Sequence, residues 1–176
     1  MGKSKRYYRR KYRKVKWCSN ITNINLDDSS LAASSGIFSN TATLITNPVQ
    51  SNVTTSQIFT VKNVEVSFNI ESTSNDIAAI NQITVYIMFV PQGMNVGTDY
   101  NIQHPEYIMA MKYLGTADSG GMNSGVYRNS VRVRSRLARK LNTGDSVILY
   151  ISGINSKSVD AYYTIYGVIR WWTKAN

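Results

Sequence analysis

The sequence predicts an all-β sandwich that carries a basic N-terminal arm. Three observations point there. β-Branched residues dominate: the chain has 17 Ile, 15 Val and 14 Thr against 7 Leu and 3 Glu, and such side chains suit a pleated surface better than a helix. Short apolar runs recur along the chain and are separated by spacers rich in Gly, Asn, Asp and Ser. Hydrophobic residues make up 43% of the 176 positions, enough to fill one core in a chain of single-domain length.

The first element is the arm, residues 1–16. It holds nine basic side chains (Lys3, Lys5, Arg6, Arg9, Arg10, Lys11, Arg13, Lys14 and Lys16) and no acid. Charges this dense repel one another with almost nothing apolar to bury, so the segment is expected to be disordered in the free protein. Its partner is a polyanion, most simply nucleic acid. Tyr7, Tyr8 and Tyr12 are either stacking platforms for unpaired bases or neutral filler between cations. The remaining residues, 17–176, hold eleven basic and ten acidic side chains, a net of +1. The +10 of the whole chain is therefore concentrated in the arm, on a nearly neutral body.

Eight strands are expected in that body, at about 17–26, 36–46, 57–70, 81–91, 106–114, 126–137, 145–153 and 161–173. In the third, Ile58, Val64, Val66, Phe68 and Ile70 share one parity, while Asn63, Glu65, Ser67 and Asn69 share the other. Period-two alternation puts the first set in the core and the second in water. Lys62 breaks the alternation and marks a bend. Residues 83–90 are almost wholly apolar on both parities, so this strand is expected to be covered on both faces. Pro91 ends it, having no N–H for the ladder. Eight strands joined by long loops fit a β-sandwich, and both a jelly roll and an immunoglobulin-like sandwich satisfy the pattern.

Residues 128–140 form a second basic cluster, with six cations and no acid. Read as a strand, Val131, Val133 and Leu137 point inward, and Arg132, Arg134 and Arg136 form an outward row. Read as a helix, Arg128, Arg132, Arg136 and Lys140 share a face. The β context favours the strand. The row is either a phosphate-binding strip, for which arginine's forked donors suit, or a solvated face paired with acids on neighbouring strands or subunits.

Catalysis finds little support. One histidine, His104, and one cysteine, Cys18, do not make a metal ligand set, and no cofactor is implied. A Cys18–His104 nucleophile pair has no local argument for it; Cys18 reads as a small buried side chain and His104 as a loop cap. Gly120, Gly121 and Gly125 lack the Lys and Ser/Thr of a phosphate-binding loop. The aromatic end (Tyr162, Tyr163, Tyr166, Trp171 and Trp172) reads as core and interface mass rather than a sugar or base platform. No apolar run is long enough to cross a membrane. The basic N-terminus has no apolar region behind it, unlike a secretory signal. A lone cysteine fits a reducing compartment.

The order of motifs resembles a known family. After the Arg/Tyr-rich arm come Phe89-Val90-Pro91-Gln92-Gly93, then His104-Pro105-Glu106-Tyr107-Ile108-Met109-Ala110 with Tyr113-Leu114-Gly115. Next comes Ser135-Arg136-Leu137-Ala138-Arg139-Lys140-Leu141-Asn142-Thr143-Gly144-Asp145-Ser146-Val147, and Trp172-Thr173-Lys174-Ala175-Asn176 closes the chain. This resembles the capsid proteins of small circular single-stranded DNA viruses that encode a replication initiator, the circovirus-like group. The resemblance runs over most of the chain. It implies a single eight-stranded antiparallel jelly-roll domain over residues 17–176. It also implies self-assembly into a closed icosahedral shell, commonly of about sixty subunits. The arm would face inward, condense a single-stranded DNA genome and engage host nuclear import receptors, so the protein would be found in the virion and, during assembly, in the host nucleus. Loops between strands would form symmetry contacts and any host surface receptor site. Two other readings compete: a non-assembling nucleic-acid-binding protein of ribosomal or single-strand-binding type, and an enzyme or lectin on a β-sandwich.

Overall fold

The computed structural model describes residues 16–48, 58–72, 80–115, 127–156 and 158–175. All of the arm cations except Lys16 lie outside that set. Nine strands occur among the described residues: β1 (Cys18–Ala32), β2 (Gly36–Thr46), β3 (Phe59–Ser72), β4 (Ile80–Val90), β5 (Ile108–Gly115), β6 (Tyr127–Arg134), β7 (Arg139–Leu141), β8 (Ser146–Asn155) and β9 (Ala161–Ala175). They form two antiparallel sheets. The larger runs β1-β9-β3-β6, with β7 also paired to β3; the smaller runs β2-β8-β4-β5.

The inner faces of the two sheets make the main core. Val61, Val66, Phe68, Ile165 and Ile169 of the larger sheet meet Val85, Ile87, Val147, Leu149 and Ile151 of the smaller. All of these are at least 96% buried, and each such side chain contributes roughly 1.5–3 kcal/mol of transfer free energy. Val64, Val66, Phe68 and Ile70 point inward as their parity predicts. Val61 is also buried, on the opposite parity. The register of β3 against β9 shifts between Lys62 and Glu65, and Asn63 takes φ +50°. That β-bulge absorbs one residue and turns both halves of β3 to the core, at the bend that Lys62 marks. Ile58, which lies before β3, is 39% exposed and does not join the core.

The bulge also accounts for the ninth strand. Beyond it, β3 pairs with β6; before it, β3 pairs with β7. The expected 126–137 strand therefore stops at Arg134 and resumes as β7. Between them Ser135 is buried, its backbone N–H donating to the Val64 carbonyl (2.8 Å) and its hydroxyl to the Met109 carbonyl of β5 (2.9 Å). Two further expectations are corrected here. Leu137, placed inward by parity, is 50% exposed because the strand has already ended. The stretch 27–32, read as part of a spacer, continues β1 past a register shift between Leu26 and Ser30, because β9 is long enough to keep pairing with it.

The doubly apolar strand is covered on both faces. Met88 and Val90 of β4 and Ile148 and Tyr150 of β8 turn away from the main core and form a second cluster with Tyr100. The cover is the 91–107 connection, which contains a short helix α1 (Tyr100–Gln103) and a 3₁₀ turn (Pro105–Tyr107). Polar anchors hold it down. The Tyr150 hydroxyl donates to the Thr98 carbonyl and the Tyr100 hydroxyl to the Phe89 carbonyl (3.3 Å). The outer face of the smaller sheet is thus covered over this region by its own chain, whereas among the described residues no segment covers the outer face of the larger sheet.

Candidate nucleic-acid interface

The arm meets the body at the open sheet. Lys16 is exposed. Two cations lie over the Trp17 ring beside it, Lys62 Nζ 3.8 Å and Lys174 Nζ 5.4 Å from its centroid. Such contacts contribute about 0.5–1 kcal/mol at exposed sites. They fix the root of the arm against β3 and β9.

From that root, alternate residues of β9 face outward: Tyr166, Val168, Arg170, Trp172 and Lys174. Register aligns the neighbouring rows. Arg170 pairs with Glu65, which pairs with Arg134; Val168 pairs with Ser67, which pairs with Arg132; Tyr166 pairs with Asn69, which pairs with Ser130. The outward face collects Lys62, Arg132, Arg134, Lys140, Arg170 and Lys174 against Glu65 and Glu71. The body is nearly neutral as a whole, yet this face is basic.

The predicted arginine row is only partly present. Arg132 and Arg134 stand outward on β6, with Val131 and Val133 buried on its other face. Arg136 is exposed but lies past the end of the strand, in the 135–138 connection, so it does not extend the row. Arg132 binds Glu65 through one nitrogen to both carboxylate oxygens at 2.9 Å, and Arg134 Nε lies 3.7 Å from the same carboxylate. Two guanidinium groups share one carboxylate, so the pairing with neighbouring-strand acids is real and a net positive charge remains. Lys3, Lys5, Arg6, Tyr7, Tyr8, Arg9, Arg10, Lys11, Tyr12, Arg13 and Lys14 lie outside the described residues. Trp17, Lys62, Arg170 and Lys174 were not singled out as site residues in the sequence; the period-two parity of the last strand was the signal that marks Arg170 and Lys174.

The candidate catalytic residues are far apart in the fold. Cys18 opens β1 in the larger sheet and is exposed, a correction to its expected burial: it sits at the end of an edge strand, where no layer covers it. His104 lies in the segment over the smaller sheet. It caps α1 through its backbone N–H to the Tyr100 carbonyl (3.0 Å), stacks on Tyr107 (ring centroids 5.3 Å apart) and shares Nδ1 with Glu106 Oε1 at 3.2 Å. The Glu106 carboxyl is held below its ordinary range, chiefly by its own backbone N–H and then by His104. In the aromatic end, Tyr163 is core and Tyr162 and Tyr166 are half exposed. Burial pushes the Tyr163 phenol up, partly offset by the Asn40 amide donating to its oxygen at 2.6 Å. Among the described residues no group of three or more His, Cys, Asp or Glu is placed to hold a metal ion, and no helix is long and apolar enough to cross a membrane.

No family model matches the chain. No curated protein matches it either. Among solved structures, two weak likenesses are the icosahedral IBDV viral particle (9% identity over 90% of this chain and 40% of that chain, TM-score 0.23) and the infectious bursal disease virus VP2 subviral particle (13% identity, 90% and 42%, TM-score 0.22). The chain spans less than half the length of either, and likeness at this level carries no argument about fold or role.

Proposed function

We propose that this chain is a capsid protein of a circovirus-like virus, which builds a small closed icosahedral shell from copies of itself and packages circular single-stranded DNA through its basic arm. The observation that carries the reading is the division of charge. Nine cations crowd into residues 1–16, and the arm is rooted on the open, basic face of a body that is otherwise balanced. Phosphate contacts made by such an arm give affinity without base specificity. The strand order supports a jelly roll. With the three-residue β7 set aside, eight strands divide into β1-β9-β3-β6 and β2-β8-β4-β5, as two interleaved Greek keys would. Exposed apolar side chains on both edges of the smaller sheet, Ile37 on β2 and Met111 and Tyr113 on β5, offer area for contact between subunits. In this reading the protein is not an enzyme, acts in the virion, and uses the arm as a nuclear import signal.

Negative-stain microscopy and sedimentation of the purified full chain test the proposal. Uniform closed shells are expected, and a protein that stays a small oligomer at every salt concentration and pH refutes it. A reporter fused to residues 1–16 should enter the nucleus. The second reading, a non-assembling nucleic-acid-binding protein, is favoured by the basic and aromatic residues across the outer face of the larger sheet. Deletion of residues 1–16 separates the two: a capsid protein still closes shells but packages less nucleic acid, whereas a binding module forms no shell in either form.

A further inference from the structure

The outer face of the larger sheet contains a shallow depression of about 390 Å³ between β3, β6 and β9. Short polar side chains, Ser67, Asn69 and Ser130, line it together with the backbone neighbourhood of Gly167, while Tyr166, Arg132 and Lys112 are longer groups on its lining. Lys112 comes from β5 of the other sheet, so both sheets contribute. Among the described residues the lining has two cations and no acid. The Tyr166 side chain is half exposed, and the Ser130 hydroxyl donates to the Asn69 side-chain Oδ1 at 2.7 Å, which leaves the Asn69 side-chain NH₂ and a Ser130 lone pair for a ligand.

We infer that this depression is a binding site for single-stranded nucleic acid, with a base on the Tyr166 ring and the adjoining phosphate between Arg132 and Lys112. The inference rests on the nucleic-acid-binding part of the proposed function and adds a site on the body to the arm. Three features favour nucleic acid over a second copy of the chain. The lining pairs an aromatic face with cations, as an unpaired nucleotide requires. Arg132 uses one nitrogen on Glu65 and keeps other guanidinium donors for phosphate, while Arg134 stands beside Glu65 to balance it. The root of the arm lies on the same face: from Lys174 to Val168 is six residues of β9, about 20 Å at 3.3 Å per residue, a span that a few nucleotides of single strand cover.

The test uses the full chain and an oligodeoxythymidine carrying iodouracil, with ultraviolet crosslinking mapped by mass spectrometry. A crosslink at Tyr166 is expected beside any in the arm. Tyr166→Ser should abolish it and weaken binding about tenfold at salt concentrations that suppress the arm's contribution. Lys112→Ala should lower the steepness of the salt dependence by about 0.7. Tyr162→Ser, a half-exposed tyrosine on the same strand outside the depression, should change neither. Crosslinks confined to the arm, with unchanged affinity for Tyr166→Ser, overturn the site and leave the proposed function standing. Absence of binding and crosslinks anywhere overturns both. Loss of shell formation by Tyr166→Ser with normal binding and no Tyr166 crosslink makes the depression a subunit interface and also overturns the site.

Discussion

Arg132 reaches diagonally across the β3–β6 ladder to Glu65, meeting both carboxylate oxygens at 2.9 Å, although the residue directly opposite Glu65 is Arg134. The directly opposite pair is longer, at 3.7 Å. The diagonal reach suits a long side chain on a twisted sheet. It leaves two arginines and one acid on a single patch, so the patch keeps a positive charge while the guanidinium groups are held in place.

Glu65→Gln removes the shared counter-ion. Arg132 is 66% exposed in its side chain but Glu65 only 17%, so a loss of about 1–3 kcal/mol in stability is expected. Binding to single-stranded DNA should tighten and become more steeply salt-dependent, as read by fluorescence anisotropy across a salt series. Unchanged binding would separate the patch from nucleic acid.

Gly167→Ala tests the packing of β9 on β3. A Cβ at Gly167 would lie 2.4 Å from both Phe68 Cβ and the Ser67 carbonyl oxygen. Backbone and the stem of a core side chain cannot swing aside, so the substitution should cost about 1–3 kcal/mol or more. A lowered thermal midpoint, or insoluble protein, is expected.

Asp145→Asn tests a turn anchor. The buried Asp145 carboxylate accepts the Gln92 N–H (3.0 Å) on one oxygen and the Asn142 N–H (2.8 Å) on the other. An amide side chain offers one acceptor and points its NH₂ at the second N–H. A loss of about 1–3 kcal/mol in urea unfolding is expected.

Alkaline pH should destabilise the fold through buried tyrosines. Burial pushes Tyr100 from 10.0 up to about 12, and pushes Tyr163 up as well. The folded chain holds these protons more tightly than the unfolded chain, so the stabilisation is complete below pH 10 and falls as pH rises beyond it, for Tyr100 through a window reaching about 12. Urea midpoints measured across that range should decline. Tyr163→Phe should flatten the decline, while losing about 1 kcal/mol at neutral pH from the Asn40 hydrogen bond.

Local pattern carried much of the architecture. The alternation of Val64, Val66, Phe68 and Ile70 set the inward face of β3, and the run at 83–90, apolar on both parities but for Thr84, implied the second layer that Tyr100 and Tyr150 help to form. Parity failed where a bulge or a break intervened. Val61 is buried on the other parity because Asn63 takes up a residue, and Leu137 is exposed because Ser135 leaves the strand to bond across to Met109. The bulge shows locally only as the break in alternation at Lys62, and the exit at Ser135 has no local signature, since each depends on which strand lies alongside.

The interface divides along the same line. The crowding of cations into residues 1–16 and the near-neutrality of residues 17–176 are properties of composition, because charge adds along the chain without regard to folding. Joining Trp17 to Lys62 and Lys174, aligning Arg170, Glu65 and Arg134 in one row, and bringing Lys112 from one sheet to a depression in the other are matters of tertiary structure. Those residues are distant in sequence, and only the pairing of β3, β6 and β9 and the stacking of the two sheets brings each of these groups together.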